Sequence, residues 1–130
     1  MSREKLKKIL LVEDDTDIQE ITKMALASIG GFEVDVCSSG VEALANVVTL
    51  SPQLILLDVM MPDMDGIETL EKLRQIPRFS KTPVIFLTAK VQPAEVKRYM
   101  ELGVSAVLCK PFDPMMISQN ILDIWNRHPI

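Results

Sequence analysis

Short apolar runs of strand length alternate with longer amphipathic segments from one end of the chain to the other. The strand-like runs are KKILLV (7–12), FEVDVC (32–37), QLILL (53–57), PVIFLT (83–88) and SAVLC (105–109). After each run, apolar residues recur at the spacing of three or four that is typical of one helix face. The pattern predicts a strand followed by a helix, five times over.

Five sets of apolar residues carry the helical period: Ile18, Ile21, Ala25 and Ile29; Val41, Leu44, Ala45 and Val48; Ile67, Leu70 and Leu73; Val96, Tyr99 and Met100; and Ile117, Ile121 and Ile124. Residues typical of helix ends support these segments. Ser39 with Glu42 indicates a capping box, Pro93 a first-turn proline and Gly103 a helix stop. Asp113-Pro114 indicates an N-cap followed by the first helical residue.

Strands joined by helical crossovers form a parallel sheet with helices on both faces, because right-handed crossovers pack back onto the sheet only in that way. The fold class predicted is therefore α/β, a doubly wound five-stranded parallel sheet. At 130 residues the chain fits one domain, residues 1–130, with no output domain expected. Apolar residues make up 48% and charged residues 25%, which is typical of a globular protein.

Charge and hydropathy exclude several function classes. The net charge is -4 and the basic residues are scattered, so direct nucleic-acid binding is not expected. The apolar runs are too short for a signal sequence or a membrane span. Cys37 and Cys109 show no metal-binding spacing, and their apolar surroundings predict small buried hydrophobes in a reducing, cytoplasmic protein.

Polar side chains follow the predicted strands at their carboxyl ends. They are Glu13, Asp14 and Asp15 after the first strand, Asp58 after the third, Thr88 after the fourth and Lys110 after the fifth. Taken singly, each is better explained as a strand end or a helix cap. Carboxyl ends of parallel strands meet along one edge of the sheet, however, where ligands bind in this class of fold. We therefore expect these groups to converge from distant parts of the chain.

The chemistry of such a cluster favours phosphoryl transfer. Carboxylates at adjacent strand ends repel one another, and without histidine or cysteine ligands they favour a hard cation, Mg²⁺ or Mn²⁺. No glycine-rich phosphate loop follows the first strand, so a bound nucleotide would lack a backbone cradle. An aspartate can instead act as a nucleophile and form an acyl phosphate, and Asp58 is the predicted acceptor.

Four motifs resemble the receiver domain of two-component response regulators. They are VEDD (12–15), LLDVMMPDMDG (56–66), LTA (87–89) and CKPF (109–112), in the order and spacing of that family. The resemblance covers essentially the whole chain. It implies a flavodoxin-like sheet with the strand order 2-1-3-4-5.

The resemblance also implies a role for each site residue. Asp58 would accept a phosphoryl group from the phosphohistidine of a sensor kinase or a histidine phosphotransfer protein. Asp14 would bind Mg²⁺ directly, Glu13 mainly through a metal-bound water, and the Met60 backbone carbonyl would be a further ligand. Asp15 is left as a helix cap.

The remaining matched residues would contact the phosphoryl group. Lys110 would pair with its oxygens and Thr88 would move inward to donate a hydrogen bond to one of them. The resemblance also implies a cis peptide bond between Lys110 and Pro111. One position departs from the family: Val107 stands where an aromatic residue usually couples to the threonine, so output is expected to use a modified switch.

The last predicted helix carries a second apolar stripe of Met115, Leu122 and Trp125. Trp125 has two interpretations, an anchor for a partner or a cover for the edge of the sheet. A homodimer or an effector protein could bind through the last helices. No nucleic-acid or membrane partner is expected.

Two other functions compete with the signalling receiver. A haloacid-dehalogenase-like phosphatase also uses a strand-end aspartate with Mg²⁺, but that class needs a general acid two residues later, where Met60 stands. A receiver fold kept only for docking is disfavoured by the complete set of site residues. The protein is therefore expected to transfer phosphate to and from itself and not to turn over an external substrate.

Overall fold

The computed structural model describes residues 4–89 and 92–127. The strands are β1 (Lys8–Val12), β2 (Glu33–Cys37), β3 (Leu54–Asp58), β4 (Val84–Thr88) and β5 (Ala106–Cys109). The helices are α1 (Thr16–Met24, continued by a π-helical segment at Ala25–Ile29), α2 (Gly40–Leu50), α3 (Gly66–Arg74), α4 (Pro93–Glu101) and α5 (Ile117–Arg127), with a 3₁₀ turn at Pro77–Phe79. The five strands form one parallel sheet in the order β2-β1-β3-β4-β5, which confirms the predicted fold class and strand order.

Alternate residues of the central strands enter two cores on opposite faces of the sheet. On β1, Leu10 and Val12 pack with α2, α3 and α4, whereas Ile9 and Leu11 pack with α1 and α5. β3 and β4 are buried at every position, as expected for strands covered by helices on both faces. The sheet is therefore a rigid support for the residues at its carboxyl edge.

Helix caps match the sequence in most places. Asp15 caps α1 and accepts hydrogen bonds from the backbone of Asp17 at 2.9 Å and Ile18 at 3.1 Å. Ser39 caps α2, and Gly103 follows α4 with a φ of 94°.

Two caps differ from the predicted form. The Glu42 carboxylate bonds the Ser38 N–H, one residue before the cap, so the capping box is offset by one residue. Asp113 caps a separate turn at 114–116 through the Met115 N–H, and α5 begins only at Ile117.

The buried faces of the first two helices differ from the periodic apolar sets. Ile21 and Ile29 are exposed, and so are Val41 and Val48. The buried positions are Thr22, Ala25 and Leu26 in the first helix, of which only Ala25 belongs to the predicted set, and Gly40, Ala43 and Val47 in the second. Small side chains allow a helix to lie close to the sheet, and the π-helical segment shifts the helix register at Ala25–Ile29.

Two side chains correct the sequence interpretation. Cys109 is exposed because it ends the edge strand β5, whereas Cys37 is buried as predicted. Trp125 is buried, with 3% of its surface exposed, and its indole N–H donates to the Glu4 carbonyl at 3.0 Å. Of its two interpretations, the exposed partner anchor is wrong, because Trp125 belongs to the core between α5 and the sheet, while Met115 of the same stripe is exposed.

No helix within the described part of the chain is long and apolar enough to cross a membrane.

Candidate functional site

The sheet brings the predicted site residues together at its carboxyl edge. Glu13 and Asp14 directly follow β1, Asp58 ends the neighbouring β3, and Thr88 ends β4 beside it. Lys110 follows β5, and its backbone N–H donates to the Thr88 carbonyl at 2.9 Å. The peptide bond between Lys110 and Pro111 is cis, as the resemblance implied.

The centre of the site is an ion-pair network in which one ammonium group contacts two buried carboxylates. Lys110 Nζ lies 2.7 Å from Glu13 Oε1 and 3.0 Å from Asp58 Oδ1. Glu13 and Asp58 are 1% and 2% exposed, so both charges lie in a medium that screens them little. The backbone N–H of Met60 adds a weaker contact to Asp58 Oδ1 at 3.3 Å. The sequence predicted that Lys110 contacts a phosphoryl group, and it carried no signal for the ion pair between Lys110 and Glu13.

Burial and neighbouring charge shift the pKa values at this centre. Burial raises the pKa of Glu13 to about 7, opposed by hydrogen bonds from Lys110 and the Asp15 backbone and reinforced by the Asp58 carboxylate. Burial opposes the charged form of Lys110, but hydrogen bonds and attraction to the two carboxylates raise its pKa. The lysine is therefore charged at neutral pH, while Glu13 holds a proton in part of the molecules.

The raised pKa of Glu13 predicts that its carboxyl group lowers stability as the pH rises. An unfolded glutamate ionises near pH 4.5, whereas the folded Glu13 ionises near pH 7, so between these values the folded state binds more protons. Stability from this group is complete below pH 4.5 and is lost as the pH rises through 7. Relative to the native protein, Glu13→Gln should gain about 1–3 kcal/mol more at pH 8 than at pH 5.

Urea unfolding in the presence of a chelator, at both pH values, measures this difference. The exposed Glu71 supplies the matched control, because Glu71→Gln makes the same chemical change away from the site. A Glu13→Gln effect on unfolding free energy that is equal at the two pH values would contradict the prediction.

The carboxylates fit a hard divalent cation. One oxygen each from Glu13, Asp14 and Asp58 can be chosen so that all lie within 4.8 Å of one another. Asp14 is exposed, which suits a ligand at the mouth of the site, whereas the other two are buried. Oxygen donors alone are the set that Mg²⁺ prefers. The role of the Met60 carbonyl as a ligand remains a prediction. Met60 lies two residues after Asp58, and its side chain is 62% exposed.

The loop after Asp58 depends on a glycine for close packing. Gly66 begins α3, and its N–H donates to the Val59 carbonyl at 2.9 Å. A Cβ on Gly66 would lie 2.5 Å from the Asp58 carbonyl oxygen and 2.8 Å from the Val59 Cα. The sequence associated Gly66 with loop shape, and the structure adds that α3 begins in contact with the backbone of Asp58.

Thr88 is buried beside Tyr99, a contact that the sequence did not indicate. The side chains of the two residues are joined by a hydrogen bond, and Tyr99 is also hydrogen-bonded to Glu95. Val107 is half-buried and packs against the core that contains Tyr99. In the sequence Tyr99 stood only as one member of an apolar helical set, and periodicity carries no signal for a hydroxyl that turns toward a strand end.

The family model and the similar proteins of known name all indicate response regulators. The model of the response regulator receiver domain matches residues 9–122. The chain is 38% identical over 106 residues to response regulator Rre1 of Synechocystis sp., covering 82% of this chain and 46% of that protein. It is also 38% identical over 122 residues to the transcriptional regulatory protein CpxR homolog of Haemophilus influenzae, covering 94% and 52%.

Solved structures agree with the sequence comparison. Chemotaxis protein CheY4 of Vibrio cholerae superposes with a TM-score of 0.85 at 28% identity, covering 92% of this chain and 99% of that one. The chain spans about half the length of the curated relatives named above.

Proposed function

The chain belongs to the response regulator receiver domain family, and from this membership we propose that Asp58 accepts a phosphoryl group from a phosphohistidine donor. The donor would be a sensor histidine kinase or a histidine phosphotransfer protein. One observation carries the proposal: Lys110 Nζ lies 3.0 Å from a buried strand-end carboxylate, among oxygen ligands suited to Mg²⁺. A receiver domain is a signalling module, so the function lies in the state of Asp58 and not in a released product.

The transfer needs few groups from the protein. A carboxylate oxygen of Asp58 forms a bond to phosphorus while the phosphorus–nitrogen bond of the donor breaks, and the electron pair of that bond stays on the imidazole. Lys110 lies beside the attacking carboxylate of Asp58, where its charge would offset the negative charge spread over the phosphoryl oxygens. The Thr88 hydroxyl can donate a hydrogen bond to one of those oxygens.

Glu13, Asp14, Asp58 and the Met60 carbonyl are the residues that would hold Mg²⁺ or Mn²⁺. When bound, the cation would neutralise charge on both the carboxylates and the phosphoryl group. Lys110 already contacts two of these carboxylates, so it keeps Glu13 and Asp58 close together before any ligand arrives.

The family assignment favours the receiver over the two competing functions. A dehalogenase-like phosphatase needs an acid at the position of Met60, whose side chain cannot transfer a proton. A pure docking module would not require two buried carboxylates, Glu13 and Asp58, around the half-buried Lys110, because buried charges are costly and apolar residues could replace them.

Partners follow from the same proposal. A phosphohistidine protein must reach Asp58, and an output partner or a second copy of this chain would read the change through the last helices. The relatives named as transcriptional regulators are about twice as long as the matched region, so DNA binding is not assigned to this chain. We place the protein in the cytoplasm, where such donors act.

Phosphorylation by a small donor tests the proposal directly. Incubated with acetyl phosphate and Mg²⁺, the full chain is expected to gain one phosphoryl group by intact mass, and a chelator should prevent the gain. Absence of any mass increase under these conditions, with acetyl phosphate and with phosphoramidate, would contradict the proposed function.

A further inference from the structure

Tyr99 connects helix α4 to the candidate site. Its side chain is 3% exposed, and its ring meets Phe86 of β4 edge-on, with centroids 5.3 Å apart and an interplanar angle of 86°. This packing fixes the ring and therefore the position of the hydroxyl group. Val107 is paired with Phe86 in the sheet register and is small, so the ring of Tyr99 shares this part of the core with an aliphatic neighbour.

The hydrogen bonds of Tyr99 have a direction that bears on the site. The Tyr99 hydroxyl is hydrogen-bonded to both the Glu95 carboxylate and the Thr88 hydroxyl. A carboxylate only accepts, so the single phenol proton is donated to Glu95. The Tyr99 oxygen therefore accepts the hydrogen bond that Thr88 donates.

Thr88 has a single hydroxyl proton, so it cannot donate fully to two acceptors. In the resting structure that proton is directed to Tyr99. A phosphoryl oxygen on Asp58 is a charged acceptor and forms a stronger hydrogen bond than a neutral phenol does. The two acceptors therefore compete for one donor.

We infer that the Tyr99 hydroxyl couples the phosphoacceptor site to α4. In the resting protein it accepts a hydrogen bond from Thr88, and it loses that hydrogen bond when the phosphoryl group proposed above accepts it instead. Tyr99 is a positioning residue, because it acts on the site through Thr88. Its release leaves the hydroxyl with Glu95, one turn away on the same helix. Glu95 faces the exposed Arg98 at 3.9 Å, so the change extends to the surface of α4.

Coupling of this kind is reciprocal. The free energy of the hydrogen bond between Thr88 and Tyr99 is lost when an anion binds at Asp58, so this hydrogen bond weakens anion binding. Removing the hydroxyl by Tyr99→Phe keeps the ring packing and deletes the competing acceptor. A neutral hydrogen bond contributes about 1 kcal/mol, which corresponds to about a fivefold change in an equilibrium constant. The variant should therefore bind beryllofluoride, a phosphoryl mimic, about fivefold more tightly in the presence of Mg²⁺.

Hydrogen exchange of the α4 amides, with and without beryllofluoride and Mg²⁺, tests the coupling. We expect α4 to change its protection in the native protein, and to change less than half as much in Tyr99→Phe although the mimic binds at least as tightly. Met100→Leu, at an exposed neighbouring position, is the matched control and should respond like the native protein.

The outcomes separate this inference from the proposed function. An equal α4 response in the native protein and Tyr99→Phe, or weaker binding of the mimic by the variant, overturns the inference alone. A native protein that neither binds the mimic nor changes in α4 overturns the proposed function and this inference with it.

A second measurement avoids substitution at position 99. Tyr99 is the only tyrosine in the sequence, so incorporation of fluorotyrosine gives a single fluorine resonance. That resonance should shift when beryllofluoride and Mg²⁺ bind, since the hydroxyl loses its donor. A resonance that stays in place while the mimic binds overturns the inference.

Discussion

Replacing Asp58 with asparagine is expected to abolish the gain of a phosphoryl group from acetyl phosphate. Asparagine has nearly the same shape, so the contacts of the Met60 N–H and of Lys110 can persist through its amide oxygen. The amide is a far weaker nucleophile than a carboxylate, however, and it cannot form a stable acyl phosphate. Intact-mass measurement should show full loss of labelling, with the fold retained in the far-ultraviolet circular dichroism spectrum.

Asp63 provides a control for this experiment within the same loop. It is exposed and has a φ of 67°, a conformation that asparagine adopts as readily as aspartate. Asp63→Asn therefore makes the same chemical change five positions away and should label like the native protein. Labelling that survives in Asp58→Asn, or that is lost in both variants, would contradict the assignment of Asp58 as the acceptor.

The sheet and its site edge could be predicted because short-range patterns determine them. Uninterrupted apolar runs such as Leu54–Leu57 are typical of strands buried on both faces, and helices between such strands require parallel pairing. Parallel pairing in turn brings strand-end residues to one edge, so Asp58 and Lys110 meet although they lie far apart in the sequence. These features depend on topology more than on the fit of particular side chains.

The features that could not be predicted depend on packing and on long-range partners. Trp125 is buried in the core, and its indole N–H donates to the Glu4 carbonyl near the other end of the chain, a contact about which helical periodicity contains no information. Cys109 is exposed because β5 is an edge strand, which its apolar sequence does not reveal. Likewise, the hydrogen bond between Tyr99 and Thr88 joins α4 to the end of β4, and the apolar period that includes Tyr99 does not indicate a polar contact with another element.

Gly66 is expected to be the position near the site at which adding a methyl group lowers stability most. In Gly66→Ala the new Cβ would overlap the Asp58 carbonyl oxygen and the Val59 Cα, at 2.5 and 2.8 Å. Both obstacles are backbone atoms of a buried strand end, so they cannot move aside as a flexible side chain would. We expect a loss of about 2–3 kcal/mol in unfolding free energy by urea denaturation. Displacement of Asp58 should also slow labelling by acetyl phosphate about tenfold, since reacting groups must be held in a narrow geometry.

Gly31 separates this steric effect from the general loss of backbone freedom. Its φ is 74°, but a Cβ there would meet no atom within 4 Å. Gly31→Ala should therefore cost only the strain of a left-handed alanine, about 1 kcal/mol, and should label at the native rate because Gly31 precedes β2 at the edge of the sheet away from Asp58. If Gly66→Ala lost no more stability than Gly31→Ala and labelled as fast as the native protein, close packing of α3 on the Asp58 backbone would not be what positions the acceptor. A larger loss at Gly66, accompanied by slower labelling, would show that the start of α3 and the phosphoacceptor carboxylate are held by the same contact.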